Sequence, residues 1–518
     1  MPILNWIGKD KVINHHQQVP YRVLEPQYTY GQDDSGNMIV HGDNLDALKS
    51  LLPRFEGKVK LVYIDPPYNT GNENWVYNDN VNDPKIKKWL GEVVGREGED
   101  LSRHDKWLCM MYPRLRLLQR LLAEDGAIFI SIDGNELATL RLICDEVFGS
   151  SNFVDFISWF KKASPSNDAQ YFSNDVEYLT VYAKIKSIWK PNRLDLNINQ
   201  RKYYTNPDND LRGDWNSATY TCNKSKDERP NLYYGIMNPN TGETIFPKVT
   251  AVWKYSKETY EQQAEQGLIY WGADGKSQFP RIKKFIAENK GVVNRTLWHY
   301  DDVGHTQGAT NELKQFGFSG FATPKPSRLI ERIIQLSATP DSIILDSFAG
   351  SGTTAHAVLN INKQEGGNRR FILVEMEDYA ESITAERVKR VIDGYANTEG
   401  TGGGFSYYEL GERILQTDGN LNESLDAEKI REYIWYTETR TDYAPQDEQY
   451  LLGVRANTAY YFYYEKQRIT VLDHDFLHGI KTSAGSYLVY ADMNILSAEE
   501  MDAANIRFKK IPRDITRL

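Results

Sequence analysis

Asp65-Pro66-Pro67-Tyr68 is a stretch whose residue types and order could do chemistry. It stops a clean apolar run, Val59 to Ile64. At ~5% per residue type, a given tetrapeptide arises by chance in a chain of this length with a probability on the order of 0.003. A Pro-Pro turn with Asp65 satisfying local N–H groups would explain neither the tyrosine nor the placement at a strand end. The chemistry that wants these groups is methylation of an exocyclic amine. The amino nitrogen of adenine is a poor nucleophile because its lone pair is delocalised into the ring. The Asp65 carboxylate and the Pro66 carbonyl can both accept its N–H bonds and localise that pair, and the prolines keep the acceptors preorganised. Tyr68 offers a flat face on which an extruded base can stack, worth roughly 1–3 kcal/mol, against a flipping cost of a few kcal/mol. No metal is needed, because a sulfonium cofactor brings the electrophile.

A second candidate is Asp346-Ser347-Phe348-Ala349-Gly350-Ser351-Gly352-Thr353-Thr354, between an expected strand and helix. Glycines there let the backbone turn tightly and approach a ligand, and the helix start offers N–H groups. Glu375 ends the next expected strand, where an acid can accept hydrogen bonds from ribose hydroxyls. Alone, the run also fits a packing turn or a nicotinamide-cofactor pattern.

Elements of alternating type must position these residues. Strands are expected at 38–40, 59–64, 127–132 and 178–182, with helices at 45–52, 107–122 and 137–147. From about 185 to 320 turn signals crowd in (Asn206-Pro207-Asp208, Asn238-Pro239-Asn240, Gly272 to Gly275), which predicts an inserted, mainly irregular domain. The alternation then returns: a helix over 327–336, strands 343–345 and 371–374, and a helix from 380 to about 396. Gly402-Gly403-Gly404 reads as a boundary. The expected domains are therefore 1–184, 185–320, 321–400 and 401–518.

Composition removes several classes. The 518 residues carry 61 Lys+Arg against 71 Asp+Glu, a net charge of -10, with 40% hydrophobic and 25% charged residues. This is ordinary globular usage. No apolar run approaches the ~18 residues of a membrane span, and the start lacks the pattern of a signal peptide. Three scattered cysteines (Cys109, Cys144, Cys222) exclude a disulfide scaffold and a cysteine-built zinc site. His474 and His478 lack a third committed metal ligand. The expectation is a cytoplasmic protein without metal. Six basic residues between Lys276 and Arg295, against Glu288 alone, suggest a surface for a DNA backbone. Gly275-Lys276-Ser277 is not a nucleotide-hydrolysis loop, because Tyr270 stands where its first glycine belongs.

At these residues the chain resembles the S-adenosylmethionine-dependent amino-methyltransferases of DNA. The first motif precedes the expected insertion and the glycine motif follows it, as in the circularly permuted β class. The strings Asp65-Pro-Pro-Tyr-Asn-Thr-Gly71, His41-Gly-Asp-Asn-Leu-Asp-Ala-Leu48 and Phe508-Lys-Lys-Ile-Pro-Arg-Asp-Ile515 are similar to the modification subunits of type III restriction–modification systems. The resemblance implies an α/β fold: a circularly permuted Rossmann-like methyltransferase core, an inserted target-recognition domain, and a small α+β C-terminal domain for assembly or dimerisation. It implies that Asp65, Pro66 and Tyr68 hold the target adenine. Asp346, Phe348, Gly350 and Gly352 would line the methionine part of S-adenosylmethionine, with Glu375 on its ribose and Asp43 facing its adenine. Lys325, in Thr323-Pro-Lys-Pro326, matches the cofactor-side motif.

The expected function is sequence-specific transfer of methyl to adenine N6 of a flipped base in double-stranded DNA. The expected assembly is a homodimer with a separate helicase-nuclease restriction subunit. Rival readings are a solitary methyltransferase without a nuclease partner, a catalytically idle DNA-recognition subunit, and a nicotinamide-dependent oxidoreductase. The last leaves the Asp65 motif unexplained.

Overall fold

A computed structural model describes residues 4–70, 101–165, 170–196 and 198–513. Gly71 and positions 514–515 of the quoted strings lie outside these described residues. The chain divides into two compact units: Met1–Asn192 together with Arg295–Leu518, and Arg193–Asn294.

The first unit is built on a sheet of ten strands among the described residues. These are β1 (Arg22–Gly31), β2 (Met38–His41), β3 (Val59–Ile64), β4 (Leu122–Ile132), β5 (Phe153–Phe160), β6 (Val176–Ala183), β7 (Leu297–Trp298), β8 (Ile343–Asp346), β9 (Arg370–Glu375) and β10 (Gly404–Arg413). Their spatial order is β1-β10-β2-β9-β8-β3-β4-β6-β5-β7. From β10 to β4 all neighbours run parallel. β6 is antiparallel to both β4 and β5, and β1 to β10. The central strands are apolar along nearly their whole length because both faces are covered, as parallel sheets require. The cover includes α1 (Asn44–Phe55), α2 (Leu101–Leu121), α3 (Leu137–Cys144), α4 (Thr306–Gln315), α5 (Ser327–Ser337), α6 (Thr353–Glu365) and α7 (Glu386–Asp393). α5 shows why: Leu329, Ile330, Ile333 and Ile334 fall on one helical stripe and are all buried.

The order of connections decides where a ligand can sit. From β8 the chain runs through α6 to β9 on one side. From β3 it runs through α2 to β4 on the other. β8 and β3 are neighbours, so the direction of winding switches between them, and a crevice opens at their carboxyl ends. Asp65 follows β3, Asp346 ends β8 and Glu375 ends β9, all at that edge. β3 precedes the second unit in sequence and β8 follows it, so the crevice is assembled from both halves of the chain.

Two expected boundaries move. The compact second unit spans 193–294, narrower than 185–320. Residues 295–320 belong to the first unit, where β7 pairs with β5, and Trp189 donates to the Ser337 hydroxyl at 3.2 Å in that same unit. Turn-rich composition marks irregular chain but does not say what it packs against. The glycine run at 402–404 is likewise no break, because β10 begins at Gly404 and joins the main sheet between β1 and β2. Beyond it, strands Leu451–Arg455, Thr458–Phe462, Ser486–Ala491 and Ile506–Lys510 form a separate four-stranded sheet, in which Tyr461 and Phe462 are buried.

The second unit packs short strands around Tyr220, Ile236, Trp253, Trp271 and Ile282. Its basic stretch is only partly available to an anion. Lys283 turns inward to pair with Asp208 and Asp210, and Arg281 bonds Ser217.

Leu345 sits in β8 with no exposed surface. Leu345→Ala removes that packing beside the crevice and is expected to destabilise by ~2–5 kcal/mol, read as a lower urea midpoint for the first unit.

Candidate active site

The crevice is a cleft of about 400 Å³, within the ~300–1,000 Å³ range of small-ligand pockets. Its lining includes Asp65, Pro66 and Tyr68 from the first motif, and Asp346, Phe348 and Gly350 from the glycine turn. Glu375, Glu377, Lys325, Phe321 and Tyr379 also line it.

The glycine turn is held by carboxylates at strand ends. Asp346 accepts the Phe348 N–H at 3.0 Å and the Thr354 hydroxyl at 2.6 Å. Glu375 accepts Gly350 N–H at 2.7 Å, Met376 N–H at 2.9 Å and Glu377 N–H at 3.1 Å. Burial still dominates, pushing both carboxyls up to about 7 against those bonds. Gly350 (φ +52°) and Gly352 (φ +79°) adopt left-handed backbone. A Cβ on Gly352 would stand 3.0 Å from the Thr384 carbonyl, tighter than ordinary contact and in backbone that favours glycine. Gly352 precedes α6 and lies behind the lining rather than in it. Beneath the turn the buried Arg387 guanidinium bonds the Ser351 hydroxyl at 3.0 Å, the Thr353 hydroxyl at 2.9 Å and His356 at 3.0 Å.

Around Asp65 the structure brings together residues from distant parts of the chain. Lys325 Nζ donates to Asp65 Oδ2 at 2.6 Å. Oδ1 of Asp65 is buried and has no partner among the described residues. The Tyr68 hydroxyl donates to Glu177 Oε2 at 3.1 Å, and Trp107 fixes the turn by donating to the Pro67 carbonyl at 2.7 Å. Burial lifts Asp65 above the usual carboxylate range, opposed by Lys325. For Glu177, burial is outweighed by Lys325 and Lys161, which hold it below that range.

Two expectations for the cofactor side change. Lys325 lines the cleft, but its ammonium faces the carboxylates of Asp65 and Glu177. Asp43 is not in the lining: it caps α1, accepting Leu45 N–H at 2.9 Å and Asp46 N–H at 3.1 Å. β2 is also separated from β3 by β9 and β8. Glu177 escaped the sequence reading, although an acid inside the apolar strand β6 was a usable signal.

Residues 59–386 match a family model described as DNA methylase. The chain belongs to the DNA methylase family. The methylase is 32% identical over 451 residues to the StyLTI type III restriction-modification Mod subunit of Salmonella typhimurium, covering 81% of this chain and 68% of that one. It is 30% identical over 423 residues to the EcoPI Mod subunit of Escherichia phage P1, covering 72% and 63%. With the type II methyltransferase M.KpnI of Klebsiella pneumoniae it shares 32% over 367 residues, covering 66% and 81%. The chain thus spans about two thirds of the length of these two type III relatives. The lining fits the S-adenosylmethionine that the sequence resemblance implies. Acids Asp65, Asp346, Glu375 and Glu377 suit a cationic ligand with hydroxyls, the rings of Phe348, Phe321 and Tyr379 suit its apolar parts, and a Cβ on Gly350 would stand 3.5 Å from the Phe321 ring.

The raised carboxyls have a consequence for stability. Their folded-state value near 7 exceeds the ordinary one, so their contribution is full at low pH and is lost as pH rises through about 7. Asp346→Asn cannot ionise. Between pH 5 and 8, without cofactor, its melting temperature is expected to rise relative to that of the wild type. Parallel curves would show that Asp346 titrates in the ordinary range.

Proposed function

We propose that this methylase transfers a methyl group from S-adenosylmethionine to adenine N6 of a base flipped out of double-stranded DNA. We infer further that it is the modification and DNA-recognition subunit of a type III restriction–modification system, a homodimer served by a separate helicase-nuclease subunit. The observation that carries the reading is the buried Oδ1 of Asp65, unpartnered among the described residues, held beside Tyr68 and in one cleft with the glycine turn.

Each residue then has a task. Asp65 Oδ1 accepts one N–H of the adenine amine and takes its proton as transfer completes. The raised basicity that burial gives Asp65 suits it to do so. Pro66 offers a second acceptor from a turn that two prolines and the Trp107 bond keep rigid. Tyr68 stacks on the base, its ring fixed by the hydroxyl bond to Glu177. Phe348, Gly350 and Asp346 would hold the methionine end of the cofactor and Glu375 its ribose, which supplies when bound a methyl group on a positively charged sulfur. The resemblance to type III Mod subunits over most of the chain supports DNA as substrate and a restriction partner. Among the described residues no helix is long and apolar enough to cross a membrane.

The test is transfer of labelled methyl to whole-genome-amplified DNA, which carries no methyl marks, followed by digestion and identification of the base. N6-methyladenine is expected from the wild type. Asp65→Ala is expected to lose at least ~10²-fold in rate while still binding cofactor. Tyr68→Phe, which keeps the ring but loses the bond that fixes it, is expected to lose less activity than Tyr68→Ala, which forfeits the ~1–3 kcal/mol of stacking. Methylcytosine as product, or full activity in Asp65→Ala, would overturn the reading.

A further inference from the structure

Two charges behind the cleft lining have no part in the transfer reading beyond the Tyr68 bond. Glu177 lies on β6 and Lys161 just past β5, and with Lys325 and Asp65 they form a line of alternating sign. Lys161 Nζ is 2.8 Å from Glu177 Oε1, Lys325 Nζ is 3.7 Å from Glu177 Oε2, and Lys325 Nζ is 2.6 Å from Asp65 Oδ2. Both chemical parts of the first motif touch this line. Asp65 meets it through Lys325. Tyr68 meets it twice, through its hydroxyl on Glu177 at 3.1 Å and through the Lys325 ammonium 5.0 Å from its ring centroid.

We propose that Glu177 is a positioning residue for methyl transfer, sharing the Lys325 ammonium with Asp65 so that Asp65 remains a competent proton acceptor, while its bond to the Tyr68 hydroxyl fixes the stacking ring. The proposal rests on the reading of Asp65 as the acceptor of the amine proton. In that step a C–N bond forms, the S–C bond breaks with its electron pair left on sulfur, and one amine proton passes to Oδ1. An ammonium committed to Asp65 alone would make it a poor acceptor. No ammonium at all would leave a buried carboxyl that is neutral and cannot accept a hydrogen bond through a charged oxygen. Glu177 holds Lys325 between these limits, and Lys161 in turn tempers Glu177.

The groups that face Asp65 make the balance one-sided without this line. Burial and the carboxyls of Glu177 on β6 and Asp346 on β8 oppose its ionisation, the Tyr68 hydroxyl favours it, and Lys325 is the cation against it among the described residues. Glu177 and Lys325 therefore act on the same carboxylate with opposite sign.

The experiment reads that sign. Infrared difference titration follows the Asp65 carboxyl band, assigned by its loss in Asp65→Asn, without substrate or cofactor. Glu177→Gln is expected to lower its midpoint and Lys325→Met to raise it, each by ~1 pH unit or more, with Lys325→Arg restoring the wild-type value. Lys161→Met is expected to raise it as well, and keeps the test open if Glu177→Gln does not fold. Single-turnover transfer to whole-genome-amplified DNA should fall several-fold in Glu177→Gln, with its pH profile displaced in the same direction as the midpoint. Midpoints that stay put, or move the same way in Glu177→Gln and Lys325→Met, overturn the proposal. Undiminished transfer by Asp65→Asn would instead overturn the reading on which it rests.

Discussion

The ion pair between Lys325 and Asp65 is the interaction on which the site depends. A carboxylate taken out of water carries a desolvation penalty of several kcal/mol unless a charge and hydrogen bonds compensate it. Asp65 is placed where that penalty is large, at the end of a buried parallel strand. Its compensation comes from 260 residues further along the chain. The cleft therefore cannot form from either half alone: the strand that carries the acceptor needs the segment that carries the ammonium. The pair satisfies one oxygen and leaves the other without a partner among the described residues, an asymmetry that suits an acceptor rather than a structural bridge.

The cofactor side solves a related problem by a different route. Asp346 and Glu375 are also carboxyls at the ends of buried strands, but the groups that meet them are backbone N–H and a hydroxyl, not cations. Hydrogen bonds lessen the burial penalty without cancelling it, so both groups titrate near pH 7 rather than in the ordinary carboxylate range. What they provide is shape: Glu375 draws the amides of Gly350, Met376 and Glu377 to one point. Arg387 supports the turn from below through Ser351 and Thr353, its charge facing Glu312 at 3.5 Å. A cation entering beside such carboxyls would favour their ionised forms, so an empty cleft with its carboxyls partly protonated and a loaded cleft with its charges paired are consistent states of one geometry.

Asp65, Asp346 and Glu375 were legible because each ends an apolar run, and apolar runs followed by an acid are local patterns. The parallel core was legible for the same reason. Glu177 was not, because its partners are set by β6 running antiparallel beside β4, a pairing no local pattern encodes. Lys325 could be found as a candidate but not placed, since a lysine at a helix start can reach several anions and only packing selects one. Lys283 misled in the opposite direction: in sequence it belongs to a basic cluster, yet its side chain is buried over Trp215 between two aspartates. Sheet membership of β7 and β10 was equally invisible, because which strands pair is set by tertiary contact rather than by propensity.

The place of the second unit in the chain follows from the same economy of contacts. It leaves and returns between β6 and β7, the two strands that flank β5 in the sheet. At its base, Leu194 and Val292 pair in an antiparallel bridge, with N–H to carbonyl distances of 3.0 and 2.8 Å. Closing a loop costs free energy that grows only slowly with its length, and here the closure is made by the unit's own backbone. Its interior can therefore change in length and sequence while the entry and exit remain fixed to each other. Asp65, Glu177, Lys325 and the glycine turn all lie in the first unit. A chain built this way can keep one acceptor, one stacking ring and one cofactor turn while the unit between them varies independently.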